Sequence, residues 1–133
     1  MQEITLRASL ECLSDMVEFI GGAALKAGIG ENIQNNIMIA AEEIFVNIAN
    51  YAYPAGGGYV TVRVYAEQGK FAMQFADRGI QYNPLAKTDP DISLSADDRE
   101  IGGLGIFMVK QMMDGLRYEY MDGQNILTIE KSY

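Results

Sequence analysis

Ala40-Ala41-Glu42-Glu43-Ile44-Phe45-Val46-Asn47-Ile48-Ala49-Asn50-Tyr51-Ala52-Tyr53 decides how the rest of the chain is read. The stretch holds no Gly and no Pro, and its apolar residues return at helical spacing. Ile33, Ile37, Ala41, Ile44 and Ile48 step by four or three and mark one face of a helix. Glu43 and Asn47 fall just off the edge of that stripe, one turn apart and side by side. A carboxylate and a carboxamide therefore stand where a buried face meets its neighbour. Taken alone, the pair reads as boundary residues, solvated or satisfying a cap. The sequence on either side gives it a different weight.

Upstream, Glu3 to Ala8 alternates apolar and polar, a short strand signal, with Ile4, Leu6 and Ala8 in phase. From Leu10 to about Ala27 the positions Leu10, Leu13, Val17, Ile20 and Ala24 predict an amphipathic helix, weakened in its middle by Gly21-Gly22. Gly28 and Gly30 break the chain before the central helix, which runs from near Glu31 to about Tyr53, where Pro54 stops it. Downstream, Tyr59 to Tyr65 places Val60, Val62 and Val64 on one face, and Phe71, Met73 and Phe75 repeat the alternation after a turn at Glu67-Gln68-Gly69-Lys70. Gly103 to Asp114 predicts a third helix with Leu104, Phe107, Met108 and Met112 on its apolar face. A closing hairpin follows, Leu116 to Met121 and Asn125 to Glu130, turning at Asp122-Gly123. Helices beside sequence-adjacent strands predict an α+β fold, with a mostly antiparallel sheet covered by helices on one face.

Length and composition narrow the function classes. The 133 residues predict one domain, residues 1–133, around a single core. No apolar run reaches membrane-spanning length and the N-terminus does not read as a signal peptide, so a cytoplasmic protein without membrane contact is expected. The single cysteine, Cys12, excludes an internal disulfide and reads as a small, at least half-buried apolar residue. A net charge of −8 argues against a nucleic-acid surface and suits docking on other proteins. With no histidine there is no Ser-His-Asp machinery, no HExxH zinc site and no phosphoacceptor His. Cation and proton chemistry then rests on carboxylates, amides, Lys, Arg, Tyr and backbone N–H groups.

Two further stretches give the Glu43/Asn47 edge its context. Asp77-Arg78-Gly79 ends a strand. An acidic side chain followed by Gly at such a point can accept a hydrogen bond from a flat exocyclic amine while the ring approaches the glycine. Gly102-Gly103-Leu104-Gly105 opens a helix, where glycines let backbone N–H groups approach an anion and the helix dipole adds attraction. Between them, Asn83 to Glu100 is irregular, with two prolines and four aspartates, and its length suggests a lid hinged on the flanking glycines. A neutral Asn oxygen suits Mg²⁺, which keeps much of its water, and a carboxylate one turn away can take a proton from an attacking hydroxyl.

In this order, the motifs resemble those of the GHKL ATPase superfamily (gyrase, MutL, histidine-kinase type). Glu43-x-x-x-Asn47-x-x-x-Tyr51-Ala52-Tyr53 resembles its N box, Asp77-x-Gly79 with Ile80-Gln81-Tyr82-Asn83-Pro84 its first glycine box, and Gly102-Gly103-Leu104-Gly105-Ile106 its second. The short form with Gly-Gly-Leu-Gly-Ile-Phe-Met-Val is most similar to anti-sigma-factor serine/threonine kinases of RsbW type. The resemblance implies a Bergerat-type two-layer α/β sandwich binding Mg-ATP. By position it implies Glu43 as general base, Asn47 as Mg²⁺ ligand, Asp77 as adenine contact and Gly79 as shaping the adenine pocket. Gly102, Gly103, Leu104, Gly105 and Ile106 would form the phosphate site, with Lys87 and Arg99 as the basic residues of the lid. It implies a sigma factor and a STAS-type antagonist as partners, the antagonist being phosphorylated on Ser or Thr. Departures are Tyr51, where many members carry His, and Tyr82-Asn83-Pro84 in place of Phe-Asp-Pro. Two other readings stay open: a nucleotide-gated binding switch that transfers no phosphate, and the ATP domain of a sensor histidine kinase. A homodimer through the first helix and first strand is also open, since the same apolar positions would serve a core.

Overall fold

The computed structural model describes residues 1–86 and 103–133. In chain order the elements are β1 (Gln2–Arg7), a 3-10 turn (Leu10–Cys12), α1 (Leu13–Lys26), α2 (Glu31–Tyr51), β2 (Tyr59–Glu67) and β3 (Lys70–Asp77). A second 3-10 turn (Pro84–Ala86), α3 (Gly103–Met112), β4 (Gly115–Met121) and β5 (Gln124–Ser132) follow. The five strands form one antiparallel sheet in the order β1-β2-β3-β5-β4. The expected α+β architecture, helices over one face of an antiparallel sheet, is what the chain adopts.

Alternation explains which face is covered. Val60, Val62 and Val64 of β2, Phe71, Met73 and Phe75 of β3, and Leu127 and Ile129 of β5 all point into the core. Against them lie Met16, Ile20, Ala23 and Ala24 of α1, Ile37, Ala40, Ala41, Ile44 and Phe45 of α2, and Ile106, Val109 and Met113 at and just beyond α3. The opposite face of the sheet carries a polar ladder. The Thr5 and Thr61 hydroxyls share a bond of 3.0 Å, and Arg63 reaches Glu3 at 2.7 Å and Gln74 at 2.9 Å. Gln74 donates to Thr128 at 3.2 Å, and Arg117 to Glu130 at 2.6 Å. These cross-strand pairs satisfy one another and leave that face to water.

Both hairpin turns fall where Gly-containing pairs predicted them. Gln68-Gly69 and Asp122-Gly123 all take positive φ, between 52° and 76°, the geometry of tight two-residue turns that match strand twist. The stripe of α2 is as read, with Ile37, Ala41 and Ile44 buried and Ile33 and Ile48 partly so. Its helix ends at Tyr51 rather than Tyr53. Cys12 is a free, half-buried thiol packed on the core.

Two local readings need correction. Leu10 lies in the 3-10 turn and is 53 % exposed, while Met16 supplies the buried position at the start of α1. The buried face of α3 is Ile106, Val109 and Met113, whereas Met108 is exposed. Ile106-Phe107-Met108-Val109 is apolar all round, so its periodicity does not define a face and packing against α2 decides it. Of the expected lid only Asn83 to Ala86 is described; residues 87–100, with Lys87 and Arg99, lie outside the described residues, as does Gly102 of the expected phosphate site.

Candidate active site

Two helices and three strands meet at one end of the sheet to enclose a cavity of about 390 Å³. Ile44, Asn47, Ile48 and Tyr51 of α2 form one wall. Phe75 and Asp77 of β3 and Asn125 and Leu127 of β5 form the floor, with Tyr118 of β4 beside them. Ile80 to Tyr82, Pro84 and Ile106 complete the lining. The volume falls in the range of small-molecule sites, and the lining is apolar with a few convergent polar groups.

Asp77 ends β3 only 6 % exposed. Its Oδ1 accepts from the Gly79 N–H at 2.9 Å and from Asn125 Nδ2 at 3.0 Å. Burial pushes the Asp77 carboxyl above the ordinary aspartate value, and these two hydrogen bonds oppose that rise. Among the described residues Oδ2 has no partner, so one acceptor is left for whatever occupies the cavity.

Asn125 is the residue that sequence reading missed. It is 7 % exposed and stands opposite Asp77 in the β3–β5 register. Besides Asp77 it donates to the Ile80 carbonyl at 2.9 Å. Its Oδ1 accepts from the Tyr82 N–H at 3.0 Å and from the Tyr118 hydroxyl. One amide thus fixes the Asp77 side chain, the Ile80–Tyr82 backbone and Tyr118. The available signal was phase: Asn125 shares the inward face of β5 with Leu127 and Ile129.

Gly79 is required by close approach. A Cβ there would overlap the Ala52 carbonyl at the end of α2, while the Ile80 N–H donates to that same carbonyl at 2.9 Å. Tyr53 clamps the junction further: its hydroxyl donates to the Tyr59 carbonyl at 2.6 Å and accepts from the Arg78 N–H at 2.7 Å. Burial is the leading cause of its raised pKa.

Glu43 and Asn47 sit side by side and half-buried, as the helical spacing predicts. Asn47 Nδ2 donates to Glu43 Oε1 at 3.3 Å. That leaves Asn47 Oδ1 as an acceptor on a residue that lines the cavity. Gly105, in the first turn of α3, lies directly against the Glu43 carboxylate; a Cβ at 105 would occupy its place. Gly103 and Leu104 open α3 and Ile106 reaches the cavity wall. The free N–H groups of that first turn are therefore carried next to Glu43. Except for Lys87, Arg99 and Gly102, which are not described, the sequence-predicted residues gather at one end of the sheet, around the cavity and the α2–α3 contact.

The sequence profile of the histidine kinase-like ATPase domain matches residues 6–131. The chain belongs to the histidine kinase-like ATPase family. Relatives of this member include the serine/threonine-protein kinase BtrW of Bordetella bronchiseptica, 24 % identical over 127 residues that span 95 % of this chain and 89 % of BtrW. The serine-protein kinase RsbW of Listeria monocytogenes is 24 % identical over 81 % of this chain and 72 % of its own length. RsbW of Bacillus mycoides is 23 % identical over 94 % of this chain and 81 % of its length. These names bear out the RsbW-type likeness read from the motifs. Among solved structures, the RsbU and RsbW domains of Rv1364c from Mycobacterium tuberculosis superpose with a TM-score of 0.65 at 13 % identity. That match covers 99 % of this chain and 32 % of the longer one, and it bears on the fold alone. The histidine kinase domain of the Erythrobacter litoralis EL346 blue-light activated kinase gives 0.58 at 15 % identity, over 90 % of this chain and 58 % of that one. Among the described residues no helix is long and apolar enough to cross a membrane.

Proposed function

We infer that this chain is a Mg-ATP-dependent protein serine/threonine kinase that acts as an anti-sigma switch. The observation that carries this reading is the junction of the cavity with the α2 ridge. Asp77 keeps a buried acceptor open on its floor, and Asn47 on its wall is hydrogen-bonded to a carboxylate that touches the first turn of α3. A pure nucleotide-binding module has no need of a base beside the metal ligand, and Glu43 is there.

In this reading ATP is the substrate. Its adenine amine donates to Asp77 Oδ2, with Gly79 leaving room for the ring. Its phosphates meet the N–H groups opening α3, around Gly103 and Gly105, where the helix N-terminus favours an anion despite the net charge of −8. Among the described residues no cluster of three or more His, Cys, Asp or Glu gathers, so Mg²⁺ would be held by Asn47 Oδ1 together with phosphate oxygens and water. Bound there, the ion would neutralise phosphate charge. Glu43 takes the proton of an acceptor hydroxyl as its oxygen bonds to the γ-phosphorus; the bond from that phosphorus to the β,γ-bridging oxygen breaks, and ADP leaves. The hydrogen bond from Asn47 orients Glu43 for this role.

The acceptor is a Ser or Thr of a STAS-domain antagonist, with a sigma factor as the competing partner, as the motif resemblance implies; the names of the relatives support the serine-kinase part of this reading. The test is transfer of labelled γ-phosphate from ATP to STAS-domain proteins of the same genome, with wild type and Glu43→Gln side by side. The reading expects transfer by wild type and a loss of about a hundredfold or more in kcat for Glu43→Gln, with ATP affinity retained. Wild type that binds ATP and its partners but transfers no phosphate would replace the kinase with a nucleotide-gated binding switch.

A further inference from the structure

The Glu43–Asn47 pair stands between two different openings. Asn47 lines the cavity described above and Glu43 does not. Glu43 instead lines a second depression of about 280 Å³, on the outer side of the helical layer, which Asn47 does not line. Its walls are Ile39, Glu42 and Val46 of α2 and Gly105, Met108 and Met112 of α3, with Leu13 at one end. Apart from the two carboxylates it is apolar, and Ile39 and Met108 on its rim are each 45 % exposed. Solvent-facing side chains of that kind, one on each helix, are what an incoming apolar side chain would cover. Among the described residues Glu43 accepts one hydrogen bond, on Oε1, so Oε2 is open to a donor.

We propose that this groove between α2 and α3 seats the acceptor. The occupant is a segment of a separate protein that brings a Ser or Thr hydroxyl to Glu43 and lays a neighbouring apolar side chain between Ile39 and Met108. The proposal rests on the kinase reading and adds an entry route: nucleotide from one side of the α2 ridge, hydroxyl from the other. Separate entry keeps the attacking oxygen and the leaving ADP on opposite sides of the transferred phosphorus, as in-line transfer requires. Charge restricts the occupant further. Glu42 is exposed on the rim, Glu43 is beneath it, and the chain carries −8 overall, so a neutral or basic segment is accepted and one with acidic residues beside the hydroxyl is repelled. The exposed apolar pair supplies attraction and the carboxylates supply discrimination.

The test uses the whole chain of 133 residues and the STAS-domain proteins of the same genome, with Ile39→Asp and Met108→Asp as separate variants and Ile39→Leu and Met108→Leu as conservative controls. Both positions are half in solvent, so the charge is tolerated by the fold, and melting temperatures check this. Each Asp variant is expected to raise KM for the protein acceptor about tenfold or more, with kcat and ATP affinity near wild type, and each Leu control to restore wild-type KM. Glu43→Gln shows the converse, loss of kcat with KM retained. Acceptor KM unchanged in both Asp variants overturns the groove and leaves the kinase reading standing. Loss of ATP affinity in folded Asp variants overturns the separation of the two openings. Absence of transfer by wild type overturns the kinase reading and the groove with it.

Discussion

Asp77→Asn exchanges one oxygen for an NH₂ group at the floor of the cavity, and its consequences can be worked out bond by bond. In wild type, Oδ1 is committed to the Gly79 N–H and to Asn125 Nδ2, both donors. An asparagine satisfies both by placing its carbonyl oxygen there, which puts its NH₂ group where Oδ2 was. The open acceptor becomes a donor, facing the adenine amine, also a donor. A hydrogen bond to a charged group contributes about 1.5–3 kcal/mol. At 1.4 kcal/mol per decade, its loss weakens ATP binding roughly 10- to 150-fold. GTP presents a carbonyl oxygen in place of that amine, so its binding should strengthen and the preference between the two nucleotides should narrow or invert. Folding moves the other way. Asp77 has a raised pKa in the folded state, so the folded protein holds this proton more tightly than the unfolded chain does, and the stability that this provides is lost as pH rises through the folded pKa. The substituted amide carries no such penalty, so the variant should melt no lower than wild type at neutral pH, and its stability should lose part of its fall with pH above the ordinary aspartate range. Calorimetric titration with ATP and GTP, paired with melting at several pH values, tests both. ATP affinity within threefold of wild type in a folded variant would refute Asp77 as the adenine acceptor.

Two other substitutions separate metal binding from pocket shape. Asn47→Ala removes the carbonyl oxygen from the cavity wall and the hydrogen bond to Glu43, and ATP affinity should lose its dependence on Mg²⁺ while the melting temperature of the free protein stays near wild type; an undiminished Mg²⁺ effect would contradict the metal assignment. Gly79→Ala forces a methyl group against the Ala52 carbonyl, and overpacking of this kind costs about 1–3 kcal/mol, so the melting temperature should fall by roughly 5 °C and ATP binding should weaken as Ile80 is pushed from its bond to Ala52.

The parts of the molecule legible in the sequence are those in which one local rule acts without competition. The α2 stripe, the alternation of β2, β3 and β5, and the Gln68-Gly69 and Asp122-Gly123 turns each announce themselves within a few residues. Glu43 and Asn47 could be placed beside each other because helical spacing is fixed. What was hidden depends on contacts far apart in sequence. Asn125 becomes the organiser of the Asp77 pocket only once β5 has paired with β3, a contact across 48 residues. Nothing near Tyr53 shows that its hydroxyl will bridge the start of β2 and the end of β3. In α3 the apolar residues outnumber the positions that can be buried, so the helix was visible in sequence while its orientation was not.

The central claim is that the cavity takes the adenine of Mg-ATP. Thermal melting of the chain with ATP, with and without Mg²⁺ and with GTP as control, tests it most directly. Ligand at about a hundred times its Kd adds roughly 2.7 kcal/mol, a rise of about 10 °C for a chain of this length. The account predicts such a rise with ATP, larger with Mg²⁺ and much smaller with GTP. No shift with any nucleotide, or equal shifts with ATP and GTP, would contradict it.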